Sequence, residues 1–136
     1  MYGNAINVVK LNIWNILKNK IMKANAPIKS GIELIAEERQ RQIDVEGYNA
    51  QHDSYHSPRK FIHAANTYVK SADLTLHSKE YSPSDPWHQT NLPFYRNDIK
   101  RTWPFEDESF KPTTDIRDLV KAGALIAAAI DRLQMK

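Results

Sequence analysis

The sequence predicts an all-α protein: a compact bundle of about four helices, with a long aromatic- and proline-rich irregular segment between the third and last. Three observations carry this expectation. Apolar residues recur at three- and four-residue spacings in four separate stretches. Helix starts and stops punctuate those stretches at Ser30-Gly31-Ile32-Glu33, Gly47, Ser57-Pro58 and Pro112-Thr113-Thr114. A chain of 136 residues, 41% apolar and 26% charged, is large enough to close one core.

The first stretch, about Asn4 to Lys23, places Ile6, Val9, Ile13, Ile16, Leu17 and Ile21 on one helical face, with Trp14 beside it. Ala26-Pro27 then breaks the helix. Residues 1–32 contain five lysines and no acid. The remaining 14 basic and 16 acidic residues leave the body near neutrality. Residues 1–27 therefore read as a basic amphipathic arm, and residues 28–136 as a single helical domain. The arm is expected to pack on its own domain or on another copy, making the protein a homo-oligomer.

The second helix starts at a capping box, in which the Ser30 hydroxyl and the Glu33 carboxylate satisfy each other's backbone N–H groups. It runs to Val45 or Glu46, where Gly47 suits a left-handed C-terminal cap. Ile32, Ile35, Ala36 and Ile43 fall on one face with Arg39 in its middle, and Gln42 and Glu46 flank it. An arginine there needs a carboxylate, backbone carbonyls or a ligand, because its charge cannot be buried alone. Tyr48 to Ser57 reads as a polar loop carrying His52, Asp53 and His56. Ser57-Pro58 starts a third helix running to about Ser71, with Phe61, Ile62, Ala65, Tyr68, Val69 and Ala72 inward.

Residues 73–112 hold five of the seven prolines and seven of the thirteen aromatics. Linkers are poor in aromatics, so this segment is expected to be ordered and irregular, with a short helix near Tyr95 to Arg101. The last helix starts at Thr113 or Thr114 and ends near Gln134. Ile116, Leu119, Val120, Gly123, Ile126, Ala127, Ile130 and Leu133 make its broad apolar face. Gly123, Ala124, Ala127 and Ala128 permit close helix approach. Arg117 and Lys121 lie one turn apart beside Ala124 and Ala128, where two cations over a low surface suit an anion.

Composition narrows the chemistry. The absence of cysteine excludes disulfides and thiolate metal sites and fits a reducing compartment. No apolar run approaches the roughly 18 residues of a membrane span, and without a continuous apolar core followed by a small-residue cleavage site near the N-terminus no secretory leader is expected. These point to a cytoplasmic protein away from membranes. The modest net charge of +3 argues against a dedicated nucleic-acid binder. With four glycines, no Gly-x-Ser-x-Gly and no glycine-rich phosphate loop, nucleophilic catalysis and a backbone phosphate cradle find no support. His52, Asp53 and His56 lack a spacing that fixes metal geometry. Glu33, Glu37 and Glu38 form one acidic patch, but the partner pair that a magnesium-dependent nucleotide pyrophosphohydrolase requires is missing from the third helix. The leading expectation is a binding site without catalytic residues, metal or cofactor, and a metal-dependent nucleotide pyrophosphohydrolase using Glu37 and Glu38 stays open as an alternative. Arg39, Gln42, His52, Asp53, Trp103, Lys111, Arg117 and Lys121 are the candidate residues of the binding site, since cations with aromatic walls suit a phosphate-bearing nucleotide.

The stretches Glu38-Arg39-Gln40-Arg41-Gln42-Ile43, Glu46-Gly47-Tyr48, His52-Asp53, Ala64-Ala65 with Tyr68, Trp103-Pro104-Phe105, Lys111-Pro112 and residues 117–126, RDLVKAGALI, occur in that order. Over about residues 33–134 the chain resembles a family of small accessory proteins of tailed bacteriophages and prophages, mostly of unassigned function. A fainter likeness to the ryanodine-receptor repeat module rests on Arg41-Gln42-Ile43, Gly47-Tyr48, Asp53 and His56. The phage resemblance implies a protein acting stoichiometrically in the host bacterial cytoplasm. Its partner would be a nucleotide-like immune signal, which it sequesters to block antiphage defence, or else a host protein complex, bound through the basic helix.

Overall fold

Local signals set the helix ends. The Ser30 N–H donates to Glu33 Oε2 at 2.7 Å and the Glu33 N–H to Ser30 Oγ at 3.3 Å, so both halves of the capping box are made. Gly47 ends the same helix at φ 72°, a conformation that costs a side chain strain and costs glycine little. Thr114 caps the last helix by accepting from the Arg117 N–H, and Asp85 caps another by accepting from Trp87.

The computed structural model describes residues 3–80 and 85–135. Among them lie six α-helices and no strand: α1 (Gly3–Ala24), α2 (Gly31–Glu46), α3 (Ala50–Ser54), α4 (Pro58–Glu80), α5 (Pro86–Lys100) and α6 (Asp115–Gln134), with a 3-10 turn at Asp107–Ser109. The all-α class is as expected. No helix is long and apolar enough to cross a membrane among the described residues.

The core is the antiparallel pair α4 and α6. Phe61 packs on Ala128 and Ala129, and Ala65 and Tyr68 on Ala122. Further along, the Ser71 hydroxyl donates to the buried Asp118 carboxylate at 2.8 Å, and Lys79 pairs with Asp115. Alanines let the two helix axes approach closely. The aromatic side chains of Trp103, Phe105 and Phe110 pack over this pair and complete the core. On the other flank α2 lies against α6, and a Cβ at Gly123 would meet the Ile35 side chain at 2.5 Å.

Several expectations need correction. Residues 50–54 are a helical turn, because Asn49 caps it by accepting from the His52 N–H. The third predicted helix, α4, continues past Ser71 to Glu80. Much of the expected irregular segment is helical: Asp85-Pro86 starts α5, Pro93 is accommodated inside it, and among the described residues the irregular backbone of this segment is Asp85 and residues 101–114, apart from the 3-10 turn. Tyr81 and Pro83 lie outside the described residues. On α2 the buried residues are Glu38 and Gln42, while Ile32 and Ala36 are exposed. On α4, Ile62 and Val69 face solvent in place of Ala64, Thr67 and Ser71. On α6 the inward face is rotated toward the small residues: Val120, Ala122, Ala124, Ala128 and Ala129 are buried, and Ile116, Leu119, Ile126, Ile130 and Leu133 are not. On α4 and α6 the small residues turn inward where the two helices approach closely. Every described side chain of α1 is exposed, so the arm does not pack on its own domain here.

Candidate functional site

The polar face of α2 is buried where α6 and α3 bring charged partners to it. Glu38 is 2% exposed. It accepts from Arg41 Nε at 3.0 Å and Nη2 at 2.9 Å, from Arg117 Nη2 at 2.9 Å, and from Gln42 Nε2 at 3.2 Å. Burial pushes its carboxyl upward, but the hydrogen bonds from Arg41, Arg117 and Gln42 outweigh this and hold it at about 2. Glu38 is thus a fixed anion that positions two arginines, one from its own helix and one from α6. Arg41 also reaches Glu46 at 2.7 Å.

Arg39 meets carboxylates as well. Its Nη2 lies 2.9 Å from Asp53 Oδ2 and 3.4 Å from Asp131 Oδ2, and its Nη1 donates to the Tyr48 carbonyl at 3.2 Å. Asp53 in turn lies 3.1 Å from His52 Nδ1. This network clamps α2, α3 and α6 together. Arg39 Nε is buried and has no hydrogen-bond partner among the described residues.

These groups surround a cleft of about 780 Å³, within the range of small-molecule sites. One wall is α2 with Tyr48 and α3. The opposite wall is the irregular segment, which contributes Trp103, Phe105, Glu106, Ser109, Lys111 and Thr113. The floor is Phe61 and Tyr68 of α4 with Arg117, Lys121, Leu125 and Ala128 of α6. All eight residues singled out from sequence, Arg39, Gln42, His52, Asp53, Trp103, Lys111, Arg117 and Lys121, line this one cleft.

The aromatic wall is held rigidly. Trp103 Nε1 donates to Ser109 Oγ at 2.9 Å and to the Glu106 carbonyl at 3.1 Å, and its ring packs against Tyr68, Phe110 and Phe105 at 5.2–5.5 Å. Opposite, His52 stacks on Tyr48 at 4.8 Å, and His56 sits edge-on to Phe105. Burial, with His52 and Lys60 nearby, lowers the His56 value, favouring the neutral ring. Burial raises the Tyr68 hydroxyl to about 12, where it accepts from the Lys111 N–H at 3.1 Å. Lys121 lies over the Tyr68 ring at 5.3 Å and donates to the Lys111 carbonyl. Burial lowers its value, and Asp118 opposes that change.

Five arginines and lysines line the cleft with four carboxylates. Two of those carboxylates, Glu38 and Asp53, are buried and committed to arginines. The remaining balance suits an anion of low charge better than a polyanion. Sequence reasoning missed Glu38, Arg41, Tyr48, Tyr68 and Phe105 as members of the site. Arg41, three residues after Glu38, was the signal available for the first pair. The acidic patch of α2 divides three ways. Glu33 caps its helix, Glu37 pairs with Lys29 on the surface, and Glu38 enters the site. No three histidine, aspartate or glutamate side chains cluster to hold a metal ion among the described residues.

Comparison with family models, with curated proteins and with solved structures finds no match.

Proposed function

We propose that the cleft binds a phosphate-bearing, nucleotide-like ligand without turning it over. The observation that supports this is the convergence of Arg117, Lys121 and Lys111 with the fixed ring of Trp103 around one volume of nucleotide size. The cations would take the phosphate by charge-assisted hydrogen bonds. The rings of Trp103 and Phe105, or the Tyr48–His52 stack across the cleft, offer faces for a base. Glu38 and Asp53 are occupied by arginines, which leaves them poorly placed as general bases. The phage-like motifs extend the proposal to its biological sense: sequestration of a host nucleotide signal in the bacterial cytoplasm. A second reading, docking of the chain on a protein, is favoured by the unpacked apolar row of α1.

Calorimetric titration against mononucleotides, cyclic nucleotides and ADP-ribose tests the first reading. Saturable heat with at least one of them is expected, weakened ~10-fold or more by Lys121→Ala, which removes a charged hydrogen bond worth about 1.5–3 kcal/mol. Absence of heat across the panel with folded protein rejects it. Chromatography of the bound ligand after prolonged incubation is expected to return it intact. Release of phosphate or of a shorter nucleotide overturns the non-enzymatic part.

A further inference from the structure

The side of the α4–α6 pair away from the cleft is apolar and bare. On α6, counting 100° per residue, Ile116, Leu119, Ile126, Ile130 and Leu133 lie roughly opposite the cleft-lining Arg117, Lys121, Leu125 and Ala128. On α4, Ile62, Val69 and Leu76 form an exposed row at seven-residue intervals, about a quarter turn from Phe61 and Tyr68. These eight side chains are 41–63% exposed. Together they present on the order of 700 Å² of apolar surface, more than most monomers leave bare and close to one partner's share of a standard interface.

A second apolar row on the same chain is equally bare. Ile6, Val9, Ile13, Ile16 and Leu17 of α1 follow the same three-four spacing as the α6 row, and all are about half exposed. At 1.5 Å per residue α1 is ~33 Å long and α6 ~30 Å, so the rows match in length. The described side chains of α1 are exposed along its whole length, whereas most helical stability in proteins comes from packing an apolar face. Charge agrees with this pairing. α1 carries Lys10, Lys18, Lys20 and Lys23 and no acid, while Asp73 and Glu80 sit one turn beyond Val69 and Leu76 on α4, exposed at the border of that row.

We propose that α1 of one copy docks along the apolar back of α4 and α6 of a second copy, so that two reciprocal arm-to-face contacts make a symmetric dimer. The contact lies behind the cleft and does not depend on what the cleft binds. Reciprocal exchange closes the assembly at two chains.

Sedimentation equilibrium of the full chain tests this with paired variants. The wild type should give twice 15.7 kDa at tens of micromolar. The arm variant Ile13→Asp/Leu17→Asp and the face variant Ile126→Asp/Ile130→Asp should each give 15.7 kDa. All four sites are exposed, and an unchanged near-ultraviolet circular dichroism signal from the packed Tyr68–Trp103–Phe110 cluster confirms that the body is folded. Mixing the two variants should restore a dimer weaker than wild type, because the mixed pair retains one intact arm-to-face contact. The chain has no cysteine, so an Ile13→Cys chain mixed with an Ile126→Cys chain should also cross-link faster than either alone. A monomeric wild type, a face variant that still dimerises, or a mixture that neither associates nor cross-links overturns the proposal. Those outcomes correspond to an arm folded on its own body, an arm-to-arm coiled coil, or a different partner.

Discussion

The two flanks of α6 are built from opposite materials. Toward α4 the seam is mainly apolar and dry, with alanines on both helices, Phe61 and the edge of the Tyr68 cluster, and its polar groups, Ser71 with Asp118 and Lys79 with Asp115, gather at one end. Toward α2 it is wired by buried and half-buried charges, Glu38 to Arg117 and Arg41, with Arg39 to Asp53 and Asp131 at one end. The dry seam is cheap to bury and holds the helices together. The wired seam desolvates charges, which contributes little net stability, but it fixes cations at the lip of a cleft. A chain that needed only a stable bundle would gain by making both seams dry. The contrast therefore separates what holds the fold from what lines the cleft.

Substitutions in the two seams sharpen that contrast. The largest effect is expected in the dry one. Phe61→Ala removes a buried ring from the α4–α6 contact and should cost about 3–5 kcal/mol, read as a lower urea midpoint at unchanged slope. A loss under 1 kcal/mol would mean that the seam is not the core.

In the wired seam Glu38→Gln should cost about 2 kcal/mol at pH 7, and it should do something Phe61→Ala does not. The Glu38 value falls from an ordinary 4.5 to about 2 on folding. Its stabilisation is therefore complete above about pH 5 and lost progressively as pH falls through 4.5 toward 2. The wild type should lose stability over that window more steeply than Glu38→Gln. Parallel acid limbs in the two proteins would contradict the assigned role of Glu38.

The smallest effect belongs to neither seam. Gly47→Ala places a side chain at φ 72° with open space around it, so only backbone strain is added. About 1 kcal/mol should be lost, and ligand affinity should be unchanged.

Legibility from sequence follows the range of the forces involved. Caps are local, and Ser30 with Glu33, Gly47 and Thr114 stand where the pattern places them. Arg39, Arg117 and Lys121 were legible as site candidates because cations on helix faces next to apolar or small residues need partners that no neighbour in sequence supplies. The inward faces were less legible. A helical count assumes that the most apolar arc turns in, whereas α2 buries Glu38 and Gln42 and α6 buries its alanines. The choice there depends on which helices meet and how closely, a non-local property. The exposed rows left over on α4 and α6 mark a surface that a count on one helix reads as core.

The proposed binding of a ligand in the cleft is open to a direct test at the Trp103 ring. Trp14 and Trp87 are exposed and lie outside the cleft, so a Trp14→Phe/Trp87→Phe chain reports on Trp103 alone. Titrating that chain with the nucleotide that gives calorimetric heat should change its fluorescence saturably, with the same midpoint as the heat. Heat with no change in Trp103 emission would place the ligand elsewhere and contradict the account.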